Sequence, residues 1–242
     1  MSDDAAAGAG AATDAAAVRT ARRDGIAVGL ATAAYGVSFG ALAVASGLDV
    51  WQACFLSLVM FTGGSQFALV GVVASGGLSA GGSAIAAAAL LGVRNVVYGM
   101  RMRPVVGSRG VAHRVAAAWL TIDESTAVAL AQSTDRAARV GFWVTGVAIF
   151  IGWNLTTLAG ALIGDALGDT RAYGLDAAAA AAFLGLLWPR LKRLQAGATA
   201  VVAAVVATIA TPVLTPGLPV LVAALVAVVI GWFDLLGRRR EA

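Results

Sequence analysis

Residues 50–93 read VWQACFLSLVMFTGGSQFALVGVVASGGLSAGGSAIAAAALLGV, 44 residues between Asp49 and Arg94 without one charged side chain. The hydrocarbon core of a bilayer, about 30 Å thick, takes about 20 helical residues. This run can therefore enter a membrane and fold back. On either side lie further charge-free runs: 24 residues between Asp24 and Asp49, 25 between Arg139 and Asp165, and 40 between Arg193 and Asp234. Of the 242 residues 60% are hydrophobic and 12% charged, against roughly 25% charged in a soluble domain. A water-soluble globular fold is excluded. The expectation is an all-α, polytopic transmembrane helical bundle of about six to eight spans, with segments 26–46, 51–74, 83–101, 116–132, 141–163, 175–189, 194–211 and 218–235. All five prolines fall at or beyond the ends of these segments, where chain breakers belong.

The flanks divide the chain into three parts. Residues 1–24 begin as acidic Ala/Gly sequence with nothing large to bury, which predicts a disordered tail and not a signal peptide. Residues 25–236 are expected to form one transmembrane domain, and 237–242 a basic tail. Arg19, Arg22 and Arg23 ahead of the first span place the N-terminus in the cytoplasm. The net charge of +4, from 16 Arg and Lys192 against 13 acids, is what cytoplasmic loops supply and is no nucleic-acid footprint. The single cysteine, Cys54, and single histidine, His113, make neither a disulfide nor a metal site, and nothing calls for a cofactor.

Basic residues test the topology. With eight crossing spans, Arg136, Arg139, Arg190, Lys192, Arg193 and Arg238–Arg240 fall on the cytoplasmic side and Asp165, Asp169 and Asp176 outside. Arg101, Arg103, Arg109 and Arg114 then land outside, against the rule. Either the rule is broken there, or residues 83–132 do not cross as two ordinary helices and contain re-entrant segments. An internal repeat is also indicated: Gly40-Ala41-Leu42 matches Gly160-Ala161-Leu162, and Gly-Leu-Asp occurs at 47–49 and 174–176.

Polar residues collect at one depth. The middle of 51–74 is Phe61-Thr62-Gly63-Gly64-Ser65-Gln66, where paired glycines free the backbone to unwind and leave amides and carbonyls for a ligand. The middle of 83–101 lies beside Arg94 and Asn95, that of 116–132 at Asp123-Glu124, and that of 141–163 next to Asn154. A charge at mid-membrane costs about 2.5–3.5 kcal/mol on insertion scales, so these residues pair or line a wet cavity. A purely structural pair of Arg94 with Asp123 or Glu124 is the competing reading. On a continuous helix Asp123 and Glu124 point about 100° apart, so one of them faces the cavity. Asp123, in register with Leu120 and Ala127, is favoured. Gly36-Val37-Ser38-Phe39-Gly40 matches a nucleophile elbow but lies in a helix without a base beside it. Its glycines, like Gly160, Gly164 and Gly168, are spaced for close helix contact. No enzyme is expected, and no Walker motif is present.

Four runs, Phe39–Ala43, Phe61–Phe67, Val93–Gly99 and Leu120–Ser125, resemble the AzlC family of branched-chain amino-acid permeases, over roughly residues 25–190. The chain departs from the family where its Asn-x-Arg-His motif is usual, with Gly92 and Asn95 at the outer positions. The resemblance implies the large subunit of a secondary transporter in the bacterial inner membrane. It would export valine, leucine, isoleucine or methionine with a small AzlD-type membrane subunit. In that role Arg94 would meet the substrate carboxylate, with Thr62, Gly63, Gly64, Ser65, Gln66, Asn95 and Asn154 lining the binding site. Asp123 or Glu124 would meet the ammonium or carry a coupling proton. The alternative function is a non-transporting scaffold subunit of a membrane complex.

Overall fold

The computed structural model describes residues 2–107, 109–168, 184–185, 187–188, 191–215, 217–233 and 235. Among them no strand occurs, and the helices are α1 (Ser2–Ala45), α2 (Val50–Val59), α3 (Gly64–Gly76), α4 (Gly81–Val106), α5 (Val111–Trp119), α6 (Asp123–Leu130), α7 (Asp135–Leu167), α8 (Leu194–Ala210) and α9 (Leu218–Trp232). Three stretches, Gly10–Ala45, Leu78–Val106 and Asp135–Leu167, are long and apolar enough to cross a membrane. Their exposed sides carry large apolar residues such as Leu30, Val96, Ile151 and Leu155, as contact with lipid requires. The expected span 175–189, the second Gly-Leu-Asp and the 237–242 tail lie largely or wholly outside the described residues.

The structure corrects several expectations. Residues 2–24 are not a disordered tail but the first turns of α1. Alanine is the strongest helix former, and the carboxylate of Asp14 accepts a hydrogen bond from Thr134 (2.7 Å) and pairs with Arg136 (3.3 Å). Segment 51–74 breaks between Val59 and Gly64, at the paired glycines. Segment 116–132 also breaks, at Leu120–Ile122, into helices of 9 and 8 residues. Pro104 lies inside the last turn of α4, not beyond its end.

The chain forms two compact units. The first comprises Met1–Ala41, Val50–Thr62 and Gly92–Ile163; the second comprises Leu42–Asp49, Gly63–Leu91 and Gly164–Ala242.

In the first unit α1 and α7 run parallel, shoulder to shoulder. Asp14 meets Thr134, and a Cβ added to Gly25 would come within 2.8 Å of Thr145 Oγ1. Further along, a Cβ on Gly29 would lie 2.7 Å from Ala148, and one on Gly152 2.7 Å from Ala33. The Thr156 hydroxyl donates across the seam to the Ala33 carbonyl at 2.6 Å. Gly36, Gly40 and Gly160 bring the backbones closest, which is the use their spacing predicts. α4 runs the other way. The guanidinium Nε of Arg139, at the start of α7, donates to the carbonyl of Val105, at the end of α4 (3.0 Å). Midway, Asn95 bonds Thr62 and the neighbouring Phe61 packs edge-on against Phe150 of α7. The arginines at the end of α4 thus share the end of the unit that holds Asp14 and the start of α7. The eight-crossing count would place them at the opposite end, and it counts the two broken segments as single spanning helices.

In the second unit, α3 packs on the first half of α4 through Leu69, Val72, Val73, Ala84 and Ala87. Gly217, at φ 91°, seats the start of α9 against Ser83 and Val72, where a Cβ would not fit. α8 packs on α9.

Candidate functional site

The break between α5 and α6 builds the site. Ser125, fully buried, donates its hydroxyl to the Leu120 carbonyl (2.6 Å) and accepts from the Ile122 amide (3.1 Å). Two backbone groups freed by the break are so satisfied by one side chain, as at a helix N-terminus. On the other side Leu120 packs against Gly146, where an added Cβ would meet the Leu120 Cβ at 2.9 Å. Pinned from both sides, the break makes Asp123 the first residue of α6 and directs its carboxylate at α4.

There Arg94 Nη2 meets Asp123 Oδ2 at 3.2 Å, with side chains 31% and 24% exposed. Asp123 thus pairs with the arginine. The contact uses one nitrogen and one oxygen. Arg94 Nε and Asp123 Oδ1 are buried and have no partner among the described residues, whereas a bidentate fork would have satisfied both. Asn95, the next residue, donates its amide to the Thr62 hydroxyl (3.2 Å) and leaves its carbonyl oxygen without a partner. Asn154, one turn beyond Phe150 on α7, donates to the Phe150 carbonyl (2.7 Å), and its Oδ1 is likewise buried and unpartnered. A buried polar group left so costs about 1–3 kcal/mol. Each of them marks a place where a polar ligand or water completes the bonding.

The first unit therefore makes two direct pairs, Arg94 with Asp123 and Asn95 with Thr62; Arg94 and Asn95 follow one another on α4 and point about 100° apart, and Asn154 bonds within its own helix α7. Glu124 is the second residue of α6 and half-buried. Gly63, Gly64, Ser65 and Gln66 belong to the second unit. Gly63 (φ 36°) precedes α3, Gly64 opens it, and Ser65 and Gln66 are buried in its first turn. The sequence reading missed Ser125 as the residue that holds Asp123. Its signal was a serine two residues after an acid at the head of an apolar segment, a pattern suited to a helix start. It also missed Thr126 and Thr145, buried hydroxyls without a partner among the described residues. Among the described residues no group of three His, Cys, Asp or Glu side chains could hold a metal.

A family model described as AzlC protein matches residues 27–167. That is more than half of the chain, and it contains every contact of the site in the first unit; the chain belongs to the AzlC family. No curated protein and no solved structure matches it.

Proposed function

We propose that this chain is a secondary transporter that exports valine, leucine, isoleucine or methionine across the bacterial inner membrane by proton-coupled alternating access. The AzlC family is associated with branched-chain amino-acid transport, and its members generally work with a small AzlD partner; we assign such a partner here. In this reading the N-terminus is cytoplasmic, and the long helices with the shorter apolar segments make up a multi-pass domain of six to eight membrane segments.

One observation carries the substrate class. On Arg94, Asp123, Asn95 and Asn154 the atoms without a partner among the described residues are one guanidinium N–H and three acceptor oxygens. An α-amino acid zwitterion offers the complement: a carboxylate for the arginine and an ammonium with three N–H donors for the oxygens. The apolar neighbours Phe61 and Phe150 suit an aliphatic side chain. Asp123 or Glu124 carries the coupling proton. A bound substrate would satisfy groups that otherwise remain costly, so affinity need not come from buried area.

The test is efflux of labelled valine and methionine from vesicles with the chain present, absent, and together with its small partner. Faster efflux with the chain supports transport. Efflux that is the same in all three would identify a scaffold subunit instead.

A further inference from the structure

α5 and α6 are about 13 Å and 12 Å long at about 1.5 Å per residue, each less than half the hydrocarbon thickness. Their directions are fixed against α7. His113 of α5 packs at a tilt against Trp143, with ring centroids 5.0 Å apart, Leu120 at the break lies on Gly146, and Val128 of α6 lies on Gly141. The chain thus climbs along α7 through α5, turns at Leu120–Ile122, and descends through α6 to the start of α7. This is a helical hairpin opening toward the end that holds Arg101, Arg103 and Arg139, with Asp123 at its tip.

The two arms differ. α6 buries Ser125, Thr126, Val128 and Ala129, whereas α5 buries none of its residues. Ahead of α5 stand Gly107 and Gly110, both at positive φ (73° and 97°). The tip is tied to α4 by the partly exposed contact of Arg94 with Asp123, which uses one nitrogen and one oxygen. Such a contact is easily exchanged: a second carboxylate that offers Arg94 two oxygens makes the fork that Asp123 does not.

Resting on the amino-acid reading above, we propose that the α5–α6 hairpin is the gate on the N-terminal side of the site, and that the substrate's own carboxylate opens it by displacing Asp123 from Arg94. A carboxylate is then obligatory in the substrate, because only it can release the latch. An amine of the same aliphatic shape binds without opening the gate. A ligand shifts a conformational equilibrium only by its differential affinity for the two states, and here the difference is the guanidinium set free.

The test reads access to α5 in lipid nanodiscs of the full chain, with Cys54→Ser and Ala117→Cys, by the rate of modification with a water-soluble thiol reagent. Ala117 is on the half-buried side of α5. Valine should raise the rate about tenfold and isobutylamine, which is valine without its carboxylate, should not. Asp123→Asn should give the fast rate without any ligand, and Arg94→Gln, which breaks the same pair from the other side, should do likewise. Wild-type rates in both variants, or opening by isobutylamine equal to that by valine, overturn the gate. Binding of labelled valine to the same nanodiscs separates the two readings. Binding with unchanged rates throughout sinks the gate and keeps the amino-acid site. No binding beside fast-reacting variants sinks the amino-acid site and keeps the latch.

Discussion

Gly40 of α1 rests on the carbonyl of Thr157, and Gly160 of α7 rests on the carbonyl of Val37. The two contacts are reciprocal under an offset of 120 residues, the relation of two copies of one helix about a two-fold axis between them. The same offset relates the Thr156 bond to Ala33 and the approach of Gly36 to Trp153. The partial sequence match of Gly40–Leu42 with Gly160–Leu162 falls on the residues that make this contact.

Gly40→Leu and Gly160→Leu should each force the paired backbones apart. Overpacking of a closed contact costs about 1–3 kcal/mol or more, and the expected result is a clearly lower thermal midpoint in detergent and less protein in the membrane. Gly99 has open space where its Cβ would be. Gly99→Ala should hold or raise the midpoint, since alanine is the better helix former by about 1 kcal/mol.

A topology reporter inserted after Gly110 should report the same side as one at the N-terminus. The bond from Arg139 to Val105 and the pairing of Asp14 with Thr134 and Arg136 place these points at one end of the first unit. Opposite compartments for the two insertions would overturn the direction of α4. A reporter at the C-terminus, beyond Arg238–Arg240, should also be cytoplasmic.

Arg94→Lys should reach the membrane in normal amount and lose about tenfold or more of its efflux, because a point charge replaces a planar fork. If the pair with Asp123 were only structural, the loss would appear as low abundance instead. Full efflux by a well-expressed Arg94→Ala variant would remove Arg94 from the site.

Asp123→Asn should abolish efflux driven by a proton gradient while exchange of internal for external valine continues. Glu124→Gln, one residue on, should do less. Gradient-driven efflux surviving in both variants would show that neither is the sole proton carrier.

Ser125→Ala removes the bond to the Leu120 carbonyl and leaves that group and the Ile122 amide exposed to a cost of about 1–3 kcal/mol. Lower affinity for valine with a shallow loss of stability is expected, and Ser125→Thr, which keeps the hydroxyl, should recover most of it. Equal affinity in wild type and Ser125→Ala would deny Ser125 its positioning role.

The helical class was legible because it rests on long charge-free runs, and a membrane leaves the backbone few other choices. The break before Gly64 was legible from Gly63-Gly64, whose lack of side chains is itself the cause. The break at Leu120–Ile122 was not: Leu, Thr and Ile there form helix adequately, and the turn is imposed by Ser125 and Gly146, which act through contacts in space. The preference for Asp123 over Glu124 assumed one helix through Leu120 and Ala127. Asp123 faces Arg94 because the helix starts anew at that residue. The direction of α4 could not be read either, since it depends on whether two apolar stretches cross or turn back, and hydropathy has no sense of direction.

From Asp14 to Gly40 the α1–α7 seam covers 26 residues, about 39 Å at about 1.5 Å per residue, while the hydrocarbon it crosses is about 30 Å thick. The excess length belongs to the Asp14 end, because Asp14, Arg19, Arg22 and Arg23 are costly in hydrocarbon, and in the aqueous phase ions screen charges over about 8 Å at physiological strength. Added electrolyte should loosen this end alone. Amide hydrogen exchange in α1 would then quicken around Asp14 as ionic strength rises, while the glycine-lined turns from Gly25 onward keep the same protection at every salt concentration.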